Sequence, residues 1–493
     1  MEFTLTNNQQ QIFEAIEASS ENFLICGKPG VGKSVLINHL VEHGNKPYTL
    51  AAPTGLAALN IGGRTLHSIF GLPVSQGIFE STFNRFSEQD RVVNNIKFNM
   101  RHLIIDEISM VRADVFDFID RMMRKVKGID KPFGGVQVIA VGDFFQLPPI
   151  VDTREMRQMK EEGYTSPFVF SSKVFKGNFR KMELSEVLRQ KGDPLFIDLL
   201  DGARTGQLRV KHLQALNEQV KAPDDLRIRL TSRNAEADDI NSRFLATIPE
   251  KTFSFTADKF GEWPALPADP ELKLKLGAQV MVKMNAADRP PGLRGEFQSK
   301  VVNGTLGKVH DFIVEDLEIK AVEIELETGE TATIYRKRWE RKVKEKLEDG
   351  TWSEKIVASY EQIPLALAWA ISMHKSQGQS FDKVHVDAGR VFAPGQLYVA
   401  LSRCRSLAGL SLESEVKANK CWADKSVLNF FNNNQDNWVM KDELIELLFT
   451  IINGNSNYTG MISCLDPYYK GVWDKELKKA ETMRKKLTKR KQK

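Results

Sequence analysis

Short apolar runs alternate with stretches of helical periodicity through the first third of the chain. The apolar runs are FLIC (23–26), YTLAA (48–52), LIID (103–106) and VQVIAV (136–141). Strands that alternate with helices in this way are typical of a parallel sheet covered by helices. A similar pattern begins near Arg180 and includes LRIRLTS (226–232), LALAWAI (365–371) and KVHVD (383–387). The chain is therefore predicted to be an α/β protein with two parallel-sheet lobes.

The segment between about 305 and 360 has a different pattern. Its β-rich runs are KAVEIELE (320–327), ATIYRK (332–337) and EKIVASY (354–360), separated by the turn sequences TGE and EDG. Short strands joined by tight turns form antiparallel sheets. We therefore predict a small β-barrel at 305–360, inserted into a second lobe that comprises 181–304 and 361–432. The first lobe is predicted at 1–180, with a small insertion at about 60–95.

The C-terminal segment, 433–493, is predicted to be a helical appendage with a basic tail. Trp473, Leu477, Ala480 and Leu487 recur at roughly helical spacing, and the last nineteen residues hold ten Lys or Arg against two acids. The whole chain has a formal charge of only +5, so the remainder is slightly acidic. This asymmetry suits either a charged surface helix or a tail that attracts nucleic acid.

The composition of 42% hydrophobic and 27% charged residues is that of an ordinary folded protein. No run approaches the roughly 18 apolar residues of a membrane span, and MEFTLTNNQQ lacks the blocks of a targeting peptide. We expect a cytoplasmic protein of bacterial or viral type, without a membrane partner. The cysteines Cys26, Cys404, Cys421 and Cys464 form no C-x-x-C pair, so neither a zinc site nor a disulfide framework is expected.

A phosphate loop, GKPGVGKS (27–34), matches the pattern G-x-x-x-x-G-K-[ST] between an apolar strand and a helical stretch. In such a loop, backbone N–H groups surround phosphate oxygens, Lys33 reaches the β- and γ-phosphates, and Ser34 binds magnesium. The sequence therefore predicts an ATP site with Mg²⁺ as cofactor. The ATP-binding residues of the loop are Gly27, Lys28, Pro29, Gly30, Val31, Gly32, Lys33 and Ser34.

Polar residues also follow two later strands of the first lobe. Asp106 and Glu107 end the run LIIDE, and Gln146 follows VQVIAV in VGDFFQLPPI (141–150). Ligand sites lie at the carboxyl ends of parallel strands. Asp106 is therefore predicted to hold the magnesium ion, Glu107 to deprotonate the attacking water, and Gln146 to sense the γ-phosphate. The alternative for Gln146 is an exposed residue in a strand-ending loop.

Together these segments resemble the Pif (petite integration frequency) family of DNA helicases, in the B branch of superfamily one, more than RecD-type relatives. The resemblance follows the family order over about residues 5–430. Its segments are APTGLAALNIGGRTLHSIFGL (52–72), DKPFGGVQVIAVGDFFQLPPI (130–150), LSEVLRQ (184–190), VVNGTLGKV (301–309), HKSQGQSFDKVHVD (374–387) and GQLYVALSRCRS (395–406). The resemblance implies two RecA-like lobes and ATP-dependent, 5′ to 3′ unwinding of DNA. It also implies a part in DNA repair, recombination or telomere maintenance.

The resemblance assigns further nucleotide contacts. It implies that Gln9 reads adenine and that Gly378 contacts the nucleotide. Arg189 and Arg403 match the two arginine fingers of the family, which come from the second lobe. Guanidinium groups from the opposite lobe stabilise transition-state charge only when the cleft closes, which ties hydrolysis to motion. The predicted catalytic residues are Lys33, Glu107, Gln146, Arg189 and Arg403.

For DNA, the resemblance implies phosphate contacts from both lobes, through small hydroxyls and backbone amides that do not read sequence. The implied residues are Thr54, Gly55, Thr65, His67, His374, Lys375 and Ser376. Phe70 and Pro73 lie where the family places a strand-separating wedge, although a core Phe fits the pattern equally well. The basic run YRKRWERKVKEK (335–346) could grip phosphates and stack Trp339 on a base, or be a solvated strand edge.

The leading interpretation is a monomeric, ATP-driven helicase that acts on single-stranded, tailed or structured DNA. Two alternatives remain open. One is a translocase that moves without unwinding, and the other is a nucleotide-gated switch with little turnover. The two predicted fingers and Glu107 disfavour the switch, because a switch does not need transition-state groups. A fused nuclease is not indicated, because no further acidic cluster has metal-ligand spacing.

A chain that ends near Asp474 is expected to keep its DNA-saturated ATPase rate, because no predicted catalytic residue lies beyond Arg403. If the tail makes even three phosphate contacts, its loss should lower the slope of log affinity against log salt by roughly two to three units. Titration of both chains against single-stranded DNA at several salt concentrations measures this slope. Equal slopes with a lower melting temperature would show instead that Trp473, Leu477 and Leu487 dock the segment on the body.

Overall fold

The computed structural model describes residues 5–72, 91–186, 192–223, 226–263, 266–283, 301, 304–315, 318–346 and 352–433. The chain divides into two compact units at Leu428. The first unit holds almost all described residues, and in the second the structure describes only the end of one helix. The predicted basic tail therefore lies outside the described residues.

The helices cover the sheets, as the alternating pattern predicts. The α-helices are α1 (Asn7–Ala18), α2 (Lys33–His43), α3 (Gly55–Asn60), α4 (Leu66–Phe70), α5 (Arg91–Asn94), α6 (Ala113–Lys127), α7 (Thr153–Glu161), α8 (Pro194–Thr205), α9 (Val210–Asn217), α10 (Asn234–Thr247), α11 (Gln396–Ser402) and α12 (Lys425–Asn433). Short 3-10 turns span Ile108–Met110, Pro132–Gly135, Val169–Ser171, Ala388–Arg390 and Ala418–Lys420, and a π-helical turn spans Asn95–Asn99.

The strands are β1 (Asn22–Gly27), β2 (Tyr48–Ala52), β3 (Arg64–Thr65), β4 (His102–Ile105), β5 (Gln137–Gly142), β6 (Phe179–Leu184), β7 (Ile228–Thr231), β8 (Phe253–Thr256), β9 (Asp258–Phe260), β10 (Glu271–Leu274), β11 (Gln279–Val282), β12 (Leu306–Glu315), β13 (Glu318–Leu326), β14 (Thr331–Tyr335), β15 (Lys337–Lys346), β16 (Trp352–Gln362), β17 (Leu365–Leu367), β18 (Ala370–Ser372), β19 (Val384–Val386) and β20 (Leu410–Leu412). All of the predicted strand runs contain or overlap one of these strands.

The first lobe is built on a six-stranded parallel sheet in the order β3-β2-β4-β5-β1-β6. Apolar side chains of β1, β4 and β5 pack against those of α1 and α2, such as Ile12, Ile16 and Leu36. Strand β6 pairs with β1 along its whole length, from Asn22–Phe179 to Gly27–Leu184. The first sheet therefore extends to Leu184, beyond the boundary predicted at residue 180.

The second lobe has a four-stranded parallel sheet in the order β18-β7-β19-β20. The run LALAWAI, predicted as one strand of this sheet, forms two strands. Only its second part, β18, joins the parallel sheet, because β17 pairs with the antiparallel β11. The chain changes sheets at Ala368, whose carbonyl oxygen accepts a hydrogen bond from Gln279 Nε2 at 2.8 Å.

Antiparallel sheets occupy the region of the predicted barrel. A five-stranded sheet has the order β14-β13-β12-β11-β17, a three-stranded sheet has the order β15-β16-β9, and β8 pairs with β10. These sheets take strands from Phe253 to Leu367, a wider range than 305–360. The basic run forms β15, where Trp339 is buried with its ring 6.1 Å from that of Tyr360. Trp339 is therefore not available to stack on a base in this structure, which removes that part of the first of the two alternatives for this run.

The structure also bears on the predictions about the wedge, the cysteines and membrane spans. Phe70 is fully buried and so belongs to the core instead of an exposed wedge, while Pro73 lies outside the described residues. Among the described residues, Cys26, Cys404 and Cys421 are buried thiols that form no disulfide. In the part of the chain that the structure describes, no helix combines the length and apolarity needed to cross a membrane.

Candidate nucleotide and DNA sites

The residues predicted to function in the first lobe lie at the carboxyl ends of strands in the six-stranded sheet. The phosphate loop follows β1, Asp106 follows β4 and Gln146 follows β5. Of the DNA-contact candidates, Thr54 follows β2 and Thr65 ends β3. Since β4 lies between β2 and β5, the acidic pair stands between the phosphate loop and the DNA-contact candidates. One edge of one sheet therefore presents both predicted sites.

The phosphate loop folds around the ammonium group of Lys33. Lys33 Nζ donates hydrogen bonds to the carbonyl oxygens of Gly27 at 2.8 Å and Lys28 at 3.0 Å. Gly30 and Gly32 have φ values of 82° and 80°, a left-handed conformation that favours glycine. The loop thus has the backbone that a phosphate cradle requires. Within it Pro29 is partly buried, and Ser34 in the first turn of α2 is exposed.

Gln9 lies against this loop. Its Nε2 donates to the carbonyl oxygens of Val31 at 3.2 Å and Gly32 at 3.3 Å. Its Oε1 accepts a hydrogen bond from the backbone N–H of Thr6 at 2.9 Å and so completes the N-terminal capping box of α1. The amide of Gln9 therefore links the first helix to the phosphate loop, and its reading of adenine stays a prediction.

Asp106 and Glu107 lie within electrostatic reach of Lys33. The pKa of Asp106 is raised to about 7, first by burial and then by the charge of Glu107, against the lowering effects of the Glu107 N–H and Lys33. Burial lowers the pKa of Lys33, and the charges of Asp143, Glu107 and Asp106 oppose this shift. A divalent cation would stabilise the ionised form of these crowded carboxylates. Asp106, with Ser34, thus fits the predicted Mg²⁺ site.

Gln146 is buried, so the alternative of an exposed loop residue is wrong. Its Oε1 accepts no hydrogen bond from any described protein group, and its backbone N–H donates to the Asp143 carbonyl at 3.0 Å. Buried acceptors without a donor are rare in folded proteins. The amide of Gln146 is therefore suited to a ligand or an attacking water, although its role as a phosphate sensor stays a prediction.

Asp143 is fully buried and is held by side chains of the second lobe. Arg204 Nη2 in α8 donates to Oδ1 at 3.2 Å, and the Tyr398 hydroxyl in α11 donates to Oδ2 at 3.0 Å. The Arg204 guanidinium also lies 4.2 Å above the ring of Phe145. Burial lowers the pKa of Arg204, but Asp143, Tyr398 and Glu183 together outweigh this effect and the net shift is upward. A Cβ at Gly395 would stand 2.3 Å from the Phe145 carbonyl oxygen, so this contact between lobes requires glycine.

Arg403 is buried beside the cleft. Its guanidinium donates to the carbonyl oxygens of Val399 (3.0 Å), Ser376 (3.4 Å) and Gln379 (3.2 Å). The pKa of Arg403 is lowered by burial, and the charge of Glu107 opposes this shift without reversing it. Arg403 therefore lies within electrostatic reach of the predicted catalytic base. Arg189 lies outside the described residues, and both fingers stay predictions.

The 374–379 turn brings the second lobe to Glu107 and to α3. Gln377 Nε2 donates to Glu107 Oε2 at 2.9 Å. Gly378, predicted to contact nucleotide, has a φ of 78°, and a Cβ there would lie 3.0 Å from Asn60 Nδ2. The structure thus places Gly378 beside the helix that follows Thr54, on the side of the DNA-contact candidates.

The DNA-contact candidates of the first lobe cap short helices. Thr54 Oγ1 accepts a hydrogen bond from the N–H of Ala57 at 3.2 Å, close to Gly55 at the start of α3. Thr65 Oγ1 accepts one from the N–H of Ser68 at 3.2 Å at the start of α4. Helix starts of this kind present backbone N–H groups, which suit phosphate contacts.

The candidates of the second lobe differ in exposure. Lys375 is exposed, but Ser376 is fully buried and its hydroxyl donates to the Met373 carbonyl at 2.8 Å. The Ser376 hydroxyl is therefore not available to DNA in this structure. Burial lowers the pKa of His67 and of His374, so both rings are neutral at neutral pH and would not act as cations towards phosphate.

The structure adds residues that the sequence did not single out. Arg204 lies in a helix outside the segments that carry the resemblance, Tyr398 lies inside the segment 395–406 without having been singled out, and no local pattern links either residue to Asp143. Lys28 of the phosphate loop also pairs with Asp201 of α8, with Nζ 2.7 Å from Oδ1. Gln377 directly follows three DNA-contact candidates in the segment HKSQGQS. This position in the sequence was the only sign that Gln377 lies at the site.

The chain is similar to known proteins over most of its length. A family model described as PIF1-like helicase matches residues 4–209. The ATP-dependent DNA helicase Pif1 of Bdellovibrio bacteriovorus is 33% identical, over 80% of this chain and 84% of that protein. The chain belongs to the PIF1-like helicase family. The ATP-dependent DNA helicase PIF1 of Homo sapiens is 35% identical, over 87% of this chain and 63% of that protein.

Solved structures of the PIF1-like family share the fold. Bacteroides sp Pif1 in complex with ADP-AlF4 matches with a TM-score of 0.75 and 35% identity, over 88% of this chain and 98% of that one. Bacteroides Pif1 bound to ssDNA matches with a TM-score of 0.63 at the same identity and coverage. These matches confirm the predicted α/β class with RecA-like parallel sheets. The chain spans 56% to 64% of the length of the relatives from Candida albicans, Xenopus laevis and Homo sapiens.

Replacing Arg204 by Met is expected to lower the free energy of unfolding by about 3–5 kcal/mol, because Asp143 would stay buried without the guanidinium that is hydrogen-bonded to it. Tyr398→Phe removes only one donor to the same carboxylate and should cost about 1.5–3 kcal/mol. Urea unfolding of both variants measures the difference. The double variant Asp143→Asn with Arg204→Met should recover part of the loss. An Arg204→Met cost no larger than that of Tyr398→Phe would contradict the dependence of Asp143 on this cation.

Proposed function

We propose that this chain is an ATP-dependent DNA helicase that moves along single-stranded DNA from 5′ to 3′ and unwinds duplex. The observation that supports this most is the grouping of Lys33, Asp106, Glu107 and Arg403 at one cleft, beside strand ends that carry the DNA-contact candidates. Relatives in the family are named ATP-dependent DNA helicases, and Bacteroides Pif1 has been crystallised with ADP-AlF4 and with ssDNA. The 5′ to 3′ polarity follows from the family resemblance.

The proposed chemistry assigns each group of the cleft one task. Lys33 neutralises the β- and γ-phosphates from inside the loop, and Glu107 accepts the proton of the attacking water. Gln146 orients that water through its buried amide. Ser34 and Asp106 would hold Mg²⁺, which when bound offsets charge on the phosphate oxygens.

Arg403 is the link between hydrolysis and movement in this proposal. Its guanidinium is fixed to backbone carbonyls of the second lobe, so it approaches the γ-phosphate only as that lobe approaches the first. Charge stabilisation in the transition state therefore requires a closed cleft. Opening and closing would alternate the grip of Thr54 and Thr65 with that of Lys375 on the phosphate backbone.

A translocase that moves without unwinding would need the same cleft, so it remains the second candidate. A monomeric state, tailed or structured substrates, and roles in repair, recombination or telomere maintenance are predictions that rest on the resemblance. All of them are compatible with the cleft described here.

A strand-displacement assay separates these candidates. The chain is expected to displace a strand from a duplex with a 5′ single-stranded tail, to leave a 3′-tailed duplex intact, and to require ATP. Lys33→Ala should abolish both ATP turnover and displacement while single-stranded DNA binding survives, because the variant loses the ammonium that neutralises the β- and γ-phosphates from inside the loop. DNA-stimulated ATP turnover without displacement would favour the translocase, and displacement only from 3′ tails would reverse the polarity.

Arg403→Ala is expected to leave ATP binding largely intact and to lower turnover by roughly 10³-fold or more, as loss of an arginine finger does elsewhere. Arg405→Ala is the matched control, because Arg405 lies two residues away and pairs with Asp382 at 2.6 Å on the exposed surface. Steady-state ATPase rates and nucleotide titrations measure both effects. Near-normal turnover in Arg403→Ala would show that Arg403 has a structural role and does not act as an arginine finger.

A further inference from the structure

A single turn of the second lobe contacts several parts of the proposed machinery. The 374–379 turn follows β18 and begins with three DNA-contact candidates, His374, Lys375 and Ser376. Its carbonyl oxygens at Ser376 and Gln379 accept hydrogen bonds from Arg403 at 3.4 and 3.2 Å. DNA that displaces this turn therefore also displaces groups that hold Arg403.

Gln377 extends from this turn to the proposed catalytic base. Its Nε2 donates to Glu107 Oε2 at 2.9 Å, and Gln377 is only 6% exposed, so the hydrogen bond is shielded from water. A hydrogen bond to a carboxylate is stronger than one between neutral groups, and shielding strengthens it further. The position of Gln377 therefore determines where the carboxylate of Glu107 points.

Two features indicate that this contact belongs to a resting arrangement. Glu107 has a φ of 51°, a left-handed backbone that residues with a side chain keep only where their surroundings enforce it. The Oε1 of Gln377 is buried and accepts no hydrogen bond from a described protein group. Both features raise the free energy of this arrangement. A modest movement of the turn is therefore enough to break the hydrogen bond between Gln377 and Glu107.

The turn is also placed to respond to DNA. At Gly378 an added Cβ would stand 3.0 Å from Asn60 Nδ2, so the turn approaches α3 closely. Helix α3 begins directly after Thr54, a DNA-contact candidate of the first lobe. DNA held between Thr54 and Lys375 would therefore contact both the start of α3 and the 374–379 turn.

We propose that Gln377 is a positioning residue that restrains Glu107 until DNA binds. The proposal rests on the ATPase and DNA-binding function proposed above. Without DNA, the Gln377 amide occupies the Oε2 that would otherwise receive the proton of the attacking water. When the turn engages the DNA backbone it shifts, the amide withdraws, and Glu107 becomes free to accept that proton.

Gln377→Met tests this, because methionine keeps the length of the side chain but donates no hydrogen bond. DNA-free kcat should rise roughly 10- to 100-fold while DNA-saturated kcat changes by less than about twofold, as expected from loss of one charge-assisted hydrogen bond. The ratio of DNA-saturated to DNA-free kcat should therefore fall. KM for ATP and the Kd for single-stranded DNA should stay unchanged, because the Gln377 side chain is buried.

Gln279→Met is the matched control. It also removes a buried glutamine amide, one that donates to the Ala368 carbonyl at 2.8 Å among the antiparallel sheets. It should lower the melting temperature without changing the ratio of DNA-saturated to DNA-free turnover.

An unchanged ratio in Gln377→Met, or a parallel fall of both rates, would overturn the restraint and show that Gln377 is structural or assists Glu107 throughout. The unmodified chain separates this failure from that of the proposed function. If its ATPase is not stimulated by DNA at all, the proposed function itself is contradicted.

Discussion

A buried carboxylate determines much of the structure around the cleft. Asp143 is shielded from water, and an ionised carboxylate is tolerated in such a place only when it is paired and hydrogen-bonded. Both of its side-chain partners, Arg204 and Tyr398, come from the second lobe. If the lobes separated, the carboxylate would therefore lose both side-chain donors and keep the Phe145 N–H, which donates to Oδ1 at 3.2 Å. The backbone carbonyl of Asp143 also accepts a hydrogen bond from the N–H of Gln146. The pairing of the Asp143 carboxylate therefore also helps to fix the loop that carries Gln146, the candidate phosphate sensor.

The contacts that join the lobes differ in how easily they break. The pair between Lys28 and Asp201 has side chains 28% and 42% exposed, and such ion pairs contribute only about 0–1 kcal/mol. Separating Asp143 from Arg204 would leave a buried charge unpaired, at a cost several times larger. Movement of the lobes therefore disturbs the exposed pair at the phosphate loop far more readily than the buried pair. The cleft can thus change its width at the nucleotide while the loop that carries Gln146 keeps its support.

The sequence predicts those features that depend on local periodicity or on a short motif. The phosphate loop, the acidic pair and both parallel sheets are of this kind, because strand alternation and glycine spacing act over a few residues. The split of LALAWAI between two sheets was not predictable, because an apolar run does not specify which partner its strand takes. The contact of Arg204 with Asp143 joins positions 61 residues apart without any repeat. The sequence left open whether Trp339 is exposed, because a basic strand can still direct one aromatic ring into the core.

The order of strands explains how nucleotide and DNA can act on each other over a short distance. From β1 to β2 there are three strand spacings, or roughly 14 Å along the sheet edge. Glu107 follows β4, within this interval, and Asn60 lies in the helix after β2. Adjacent residues of one turn, Gln377 and Gly378, contact these two positions. A displacement at the DNA side therefore reaches the proposed base through neighbouring peptide units, and communication between the two sites requires no long path through the core.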